Sequence, residues 1–459
     1  MDVNLDKLSK YILIFIGLIS SSIFIYNILN YYSYQGPDGE AHSEYIYFLS
    51  IYLPDSLKLP SIGDTYEYFS PPIAYIFPAL SQVLCRNLIE SEDYKTDCID
   101  FYDNLGQLFL FTIFLVYLYV LMKISQRLFK DYLKFFIPLL ILTLSLSVNY
   151  QMFSYFRGES YILLFSSIVF LLLLKIFQSS NIKILDYLYI GILIGLLLLS
   201  RQWAVFFLPT ILFFWILNKS SKSNKKKMFF MFSMSALVGF IIAAPFYISL
   251  QEKEDSIAAW NGDSYEIDLD RYPSSFFYKT GFSEGLFSNP TISNDEYSKK
   301  IHGESIFPTF LSTILGDPNG YFSYTHLRNI ERNENFEKYL GFVNVVGIFL
   351  ILLSSLGVYK FIKIDKTEIA NNSEIIYLRL IIFNFLSTFL FYIFWMYLYL
   401  PSINANYMLQ ITNLFPFFGA YAIYKIRNRN YYFISIVTLF IVYIFLIPTY
   451  IYGSSYLFN

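Results

Sequence analysis

Asp38, Glu40 and His42 stand together in the stretch Gly36-Pro37-Asp38-Gly39-Glu40-Ala41-His42-Ser43-Glu44-Tyr45. Carboxylate and imidazole are the side chains that move protons near neutral pH. Gly-Pro ends the preceding segment, and the residues up to Ser50 read as a helix opening at Asp38. At helical spacing Asp38, His42, Tyr45 and Leu49 share one face, which sets a carboxylate beside an imidazole. Asp38 also suits an N-cap accepting from the Ala41 amide. No capping box forms, because position 41 is Ala. Two arginines add a different chemistry. Arg157 and Glu159 lie in Met152-Phe153-Ser154-Tyr155-Phe156-Arg157-Gly158-Glu159, and Arg201 in Gly195-Leu196-Leu197-Leu198-Leu199-Ser200-Arg201-Gln202-Trp203, followed by Leu208-Pro209. Guanidinium holds carboxylate or phosphate through two parallel N–H bonds. The plainer alternatives are an ion pair between Arg157 and Glu159, and an Arg201 that anchors at a lipid interface beside Trp203.

The elements that must position these residues follow from hydropathy. Of 459 residues, 56% are hydrophobic, 21% aromatic and only 15% charged. A soluble domain carries about 25% charged residues, so a soluble enzyme is excluded and lipid is the expected solvent. The net charge of −2 gives no electrostatic footprint for nucleic acid. A spanning helix needs about 20 apolar residues. Eleven segments qualify: Tyr11–Asn30, Gly106–Met122, Phe135–Val148, Ser160–Ile176, Leu185–Ser200, Trp203–Leu217, Met228–Leu250, Leu340–Ile362, Ile376–Leu398, Tyr407–Tyr424 and Tyr432–Ile451. The third, fifth and sixth are short. The expected fold is an all-α integral membrane protein, with no internal repeat.

Basic residues of short loops stay on the cytoplasmic side. Alternate connections carry Lys7 and Lys10; Lys123, Arg127, Lys130 and Lys134; Lys175 and Lys183; Lys219, Lys222 and Lys225 to Lys227; Lys360, Lys363 and Lys366; and Lys425, Arg427 and Arg429. The opposite short connections hold only Arg157 and Arg201. The N-terminus is therefore expected inside and the C-terminus outside. The first span is expected to be an anchor, since its exit at Tyr26 to Tyr32 lacks the small residues of a cleavage site.

Two large acidic loops then fall outside, 31–105 and 251–339. They divide the chain into a membrane module at 1–250 with the first loop, an extracytoplasmic segment or small subdomain at 251–339, and a C-terminal membrane module at 340–459. Loops of that length usually carry function. Cys85 and Cys98, the two cysteines, both lie in the first loop, where a disulfide and a pair of free thiols are both open. After a polar stretch that loop continues as Tyr66-Glu67-Tyr68-Phe69-Ser70-Pro71-Pro72-Ile73-Ala74-Tyr75. Pro-Pro suits a helix start, so an interfacial helix is expected from Pro72 to about Val83. The second loop carries aromatic runs at 272–278 and 305–311, together with His326 and Arg328, and reads as a lid.

The order Pro37-Asp38-x-x-x-His42, then Pro71-Pro72-Ile73-x-Tyr75, resembles the first outer loop of the C-type membrane glycosyltransferases, the GT-C superfamily. Bacterial members often show Pro-Asp-Glu-x-x-His followed by Pro-Pro-Leu-x-Tyr. Here the second acid is displaced, from the position of Gly39 to Glu40. The Arg157–Glu159 turn resembles that family's short polar loop. The Gly195 to Pro209 stretch resembles its helix end, where a basic residue faces the lipid phosphate. Asn404-Ala405-Asn406-Tyr407 has Asn406 where the family commonly has Arg, and Gln410 and Asn413 follow inside a span, which polar groups enter only to face the bundle or a cavity.

The resemblance is strongest over the first 215 residues. It implies transfer of a hexose or pentose from a polyprenyl-phosphate donor to a glycan, lipid or protein acceptor on the extracytoplasmic face of the plasma membrane, in cell-envelope glycan biosynthesis, with inversion. A phosphate leaving group needs positive charge rather than a general acid, and the acceptor hydroxyl needs one base. The expected roles are Asp38 as base with Glu40 and His42 beside it, and Arg201 with Arg157 on the donor phosphate. Glu159, His326, Arg328, Asn406 and Tyr407 are expected on the acceptor side or as orienting groups. Asp38, Glu40, His42 and His326 are the side chains that could ligate a divalent ion. No zinc-type spacing occurs, and no metal is expected. A polymerase or ligase of the related class shares this chemistry. A transporter or flippase should instead hide ionisable groups in mid-membrane, whereas here charges crowd one face; nothing specific favours a scaffold.

Overall fold

The computed structural model describes residues 5–36, 38–56, 58–90, 93–178, 183–217, 222–255, 313–316, 333–363, 373–399 and 405–458. Among these residues the regular elements are all helices, without strands. Six helices are long and apolar enough to cross a membrane: Tyr11–Asn30, Tyr94–Leu128, Glu159–Gln178, Phe229–Glu254, Glu334–Ile362 and Arg429–Thr449. Shorter apolar helices occupy Tyr132–Leu144, Ile184–Leu198, Gln202–Phe214 and Ile375–Leu390. The protein is an integral membrane protein by this architecture.

Six spanning helices do not by themselves make the eleven spans expected: each of the eleven apolar segments falls mainly on helix, but several are short, and two of them are interrupted within the bundle. The helices α1 (Leu5–Asn30), α2 (Gly39–Tyr52), α3 (Ile73–Leu88), α4 (Tyr94–Asp97), α5 (Ile99–Leu128), α6 (Tyr132–Leu144), α7 (Ser147–Met152) and α8 (Glu159–Gln178) form the first part of the chain, and among the described residues α9 (Ile184–Leu198), α10 (Leu208–Leu217), α11 (Lys222–Glu254), α12 (Glu334–Ile362) and α13 (Ser373–Tyr399) follow. The third segment thus divides between α6 and α7. Inside α6, Pro138 has no N–H for the Lys134 carbonyl, and the Tyr432 hydroxyl donates to that carbonyl instead, at 3.1 Å. The Tyr407–Tyr424 segment divides likewise, into α14 (Leu409–Thr412) and α15 (Leu414–Tyr424). At its break the Asn413 and Asn149 amides donate to one another, at 2.9 and 3.1 Å, and the Tyr117 hydroxyl also donates to Asn413. The side-chain amides at this break therefore satisfy one another, as an apolar solvent requires.

The first and last long helices run side by side in the same direction. Ser20 of α1 meets the hydroxyl of Tyr443 on α16 (Arg429–Leu446) at 2.7 Å. Seven residues on, Asn27 donates to the Tyr450 carbonyl at 2.8 Å and accepts from the Tyr452 amide at 3.0 Å. The far end of the bundle gathers basic residues of the helix ends. There Lys134 donates to the Ile426 carbonyl, Lys360 to the Ala422 carbonyl, and Lys175 pairs with Asp186 at 2.8 Å.

At the end where α1 stops, the first loop folds onto the bundle as α2, α3 and α4. Arg86 of α3 stacks over Tyr47 of α2 and donates to Ser50 at 2.8 Å. Cys85 and Cys98 are joined by a disulfide that ties the last turn of α3 to the start of α5. The helix expected from Pro72 to Val83 runs on to Leu88, past the pairing point with α2. Most of the second loop lies outside the described residues. Its residues 313–316 dock on α7, where Ser147 donates to the Ile314 carbonyl and Gln151 to that of Gly316.

Candidate functional site

The loop entering α2 turns sharply. Asp38 has φ 56° and ψ 20°, in the left-handed region that non-glycine residues rarely adopt. Its side chain makes no cap bond, so the N-cap reading is replaced, and the helix opens at Gly39. The left-handed turn releases the carboxylate from the helix terminus toward Arg157, whose Nη2 donates to Asp38 Oδ2 at 3.2 Å. Gly39 is required for this path. A Cβ there would sit 2.3 Å from the Tyr34 carbonyl oxygen, which explains why the second acid appears at Glu40. Glu40 itself is exposed in the first turn of α2.

A second close approach brings in both arginines. A Cβ on Gly158 would lie 1.8 Å from the Ser200 carbonyl oxygen. Only glycine lets the 157–159 turn press against the turn that follows α9 (Ile184–Leu198). Arg157 and Arg201 are each 3% exposed, Glu159 0%. The Arg157–Glu159 ion pair, the plainer alternative, gives way to another arrangement. Arg201 donates from Nε to Glu159 Oε2 at 3.3 Å, while Arg157 takes Asp38. Glu159 opens α8, and residues two apart point to different faces. Nor is Arg201 a surface anchor. It is buried, although its guanidinium does lie over the Trp203 ring, 5.1 Å from the centroid.

The residue that the sequence reading left without a role is Glu67. It is 4% exposed. Its Oε2 stands 3.5 Å from Arg201 Nη1 and 4.0 Å from His42 Nδ1, and it accepts a short hydrogen bond from Ser70. Ser70 in turn accepts from Arg201 Nη1 at 2.6 Å. A lone carboxylate in the aromatic run Tyr66–Tyr75 was the available signal, because burying it demands a partner. His42, also 4% exposed, meets the Tyr75 hydroxyl at 2.8 Å through Nδ1. Tyr45 stacks on Tyr75 with ring centroids 4.1 Å apart and donates to the Ser70 carbonyl. Burial, and then Arg157 and Arg201, hold the His42 imidazole well below its usual range, so it is neutral at neutral pH.

Tyr407 lies beneath Arg157, 5.6 Å from guanidinium to ring centroid, and meets Trp203 edge-on. Asn406 belongs to the same turn, Ala405–Met408, and its side chain is outside the described ones. His326 and Arg328 lie outside the described residues. Of the expected groups, then, Asp38, His42, Arg157, Arg201, Glu159 and Tyr407 converge, joined by Glu67, Ser70, Tyr45 and Tyr75.

Within this cluster four buried polar atoms have no hydrogen-bond partner: Arg201 Nη2, Arg157 Nε, His42 Nε2 and Glu159 Oε1. Three of the four belong to groups that can donate, which suits an anionic ligand with several oxygens. Asp38, His42 and Glu67 also bring ligand atoms within 4.8 Å of one another, a set in which Glu67 replaces the Glu40 and His326 of the sequence reading. Both carboxylates of that set are already bonded to guanidinium, and His42 Nδ1 is taken by Tyr75. The cluster therefore fits a cation less well than an anion. Asp38 keeps 48% of its side chain exposed at the rim.

No protein-family model and no curated protein matches this chain. Two solved structures are similar in backbone trace. ArnT from Cupriavidus metallidurans bound to undecaprenyl phosphate aligns with a TM-score of 0.40 and 11% identity, over 95% of this chain and 77% of that one. The apo state of ArnT from that organism gives 0.41 and 11%, over 96% and 78%. A likeness that faint carries no argument about what this chain binds or does.

Proposed function

We propose that this chain is a membrane glycosyltransferase that moves a sugar from a polyprenyl-phosphate donor to an acceptor hydroxyl, at the extracytoplasmic face. The observation that carries the reading is a half-exposed carboxylate, Asp38, held at the rim of a side-chain cluster whose two buried arginines retain unpaired N–H groups. The acceptor oxygen attacks the anomeric carbon as the bond from that carbon to the phosphate oxygen breaks, with inversion. Asp38 takes the hydroxyl proton. The phosphate leaves as an anion, with Arg201 and Arg157 stabilising the charge that develops on it. The arginines are in place before the reaction, because Glu159, Glu67 and Ser70 hold Arg201 and Asp38 holds Arg157. Positioning of that kind is what lets such charges lower a barrier rather than reorganise during it.

The test is Asp38→Asn, assayed in membranes with a labelled polyprenyl-phosphate sugar. The amide keeps the shape and an acceptor for Arg157 but loses basicity, and turnover should fall roughly 10²–10⁴-fold with normal expression and thermal stability. Near-normal turnover in a folded variant would remove Asp38 as the base and turn attention to Glu67 or Glu159.

A further inference from the structure

The buried part of the cluster is electrically balanced as it stands. Glu67 and Glu159 match Arg157 and Arg201, and the fifth charge, on Asp38, faces solvent at the rim. His42 is neutral, for the reasons given above. A donor phosphodiester adds one more negative charge. Arg201 Nη2 and Arg157 Nε can donate to it, yet the charge of both guanidiniums is already cancelled by carboxylates. A buried anion without a counter-charge is strongly disfavoured.

One pair is placed to correct this. Glu67 Oε2 and His42 Nδ1 stand 4.0 Å apart. Among the described residues the groups facing the pair are Arg201 from the turn after α9, Arg157 from the turn before α8, Asp38 ahead of α2, Tyr45 on α2, Ser70 before α3 and Tyr75 on α3. The two guanidiniums oppose a proton on the imidazole and Asp38 favours one. A phosphate seated on the guanidiniums screens their opposition and leaves Asp38 to act.

We propose that the donor's phosphate enters this cluster together with one proton from solvent, which lodges in the His42–Glu67 pair. This rests on the phosphate-binding reading of the site and adds its regulation by pH. The complex then holds more protons than the free protein, so affinity falls as pH rises. Where the pair is unprotonated in the free protein and protonated in the complex, Kd weakens about tenfold per pH unit.

The experiment is calorimetric titration of the full chain in nanodiscs with a polyprenyl methyl phosphate, a diester whose single charge does not titrate from about pH 6 to about pH 9. Buffers of different ionisation enthalpy count the protons. Uptake of about one proton per ligand is expected, with Kd rising toward alkaline pH. Glu67→Gln removes the surplus negative charge, so this variant should bind without uptake and without pH dependence. Asp64→Asn, in the exposed turn where Asp64 holds Ser61, should keep the full uptake. If Glu67→Gln does not fold, His42→Gln takes its place with the same loss of uptake expected. Binding that is flat with pH, or uptake unchanged in the pair's variants, overturns the proposal and leaves the phosphate reading standing. No binding at any pH removes the phosphate reading, and the proposal with it.

Discussion

At the scale of the residue, the cluster depends on exchanges of partner between loops. His42 is buried against Tyr75 with two guanidiniums nearby, which depresses its affinity for a proton. The unfolded chain protonates this imidazole near about pH 6.5, whereas the folded chain does not until lower pH. The unfolded state therefore binds more protons in that window, and stability rises with pH through it. Thermal unfolding in detergent should show a lower Tm as pH falls below about 6.5, and His42→Gln should flatten part of that slope. An unchanged slope would mean that His42 is not the group that titrates. The crowding of Asp38 and Glu67 by guanidinium has its own consequence. Turnover should persist in excess EDTA, and a requirement for added divalent ion would show that a cation displaces Arg157 or Arg201 from those carboxylates. Asp38, His42, Arg157 and Arg201 were legible from local patterns. Glu67 was not assigned, because its partners, Arg201 and His42, stand 134 and 25 positions away in the chain, and nothing local marks such a contact.

At the scale of the element, two glycines and one disulfide place the first loop. Gly39 and Gly158 allow backbone approaches that any side chain would block. The Cys85–Cys98 bond ties α3 to α5, and α3 carries Tyr75 to His42. Replacing both cysteines by Ala should cost about 2–4 kcal/mol of stability and should weaken turnover through looser placement of His42. Peptides from non-reduced protein should show the linkage by mass spectrometry. Free, alkylatable thiols in protein from an oxidising compartment would reject it. The starts of α2 and α3 were readable from Gly-Pro and Pro-Pro. The left-handed turn at Asp38 was not, because Asp before a helix ordinarily signals a cap; the Arg157 contact, which the sequence alone does not reveal, competes for its carboxylate.

At the scale of the whole molecule, α1 and α16 run parallel, and the site lies at the end where both finish. With basic loops retained inside, reporter fusions at Asn224 and Asn459 should report opposite sides, and the same side for both would sink the orientation. Composition and hydropathy alone determined that lipid is the solvent and that helices are the elements, because a span is a local property of some twenty consecutive residues. They also marked the residue types able to move a proton or hold an anion. Which carboxylate meets which arginine was decided only in three dimensions. Arg157 pairs with Asp38 and Arg201 with Glu159 and Glu67, since partner choice among buried charges depends on which backbones can approach, and that is set by the packing of helices distant in the chain.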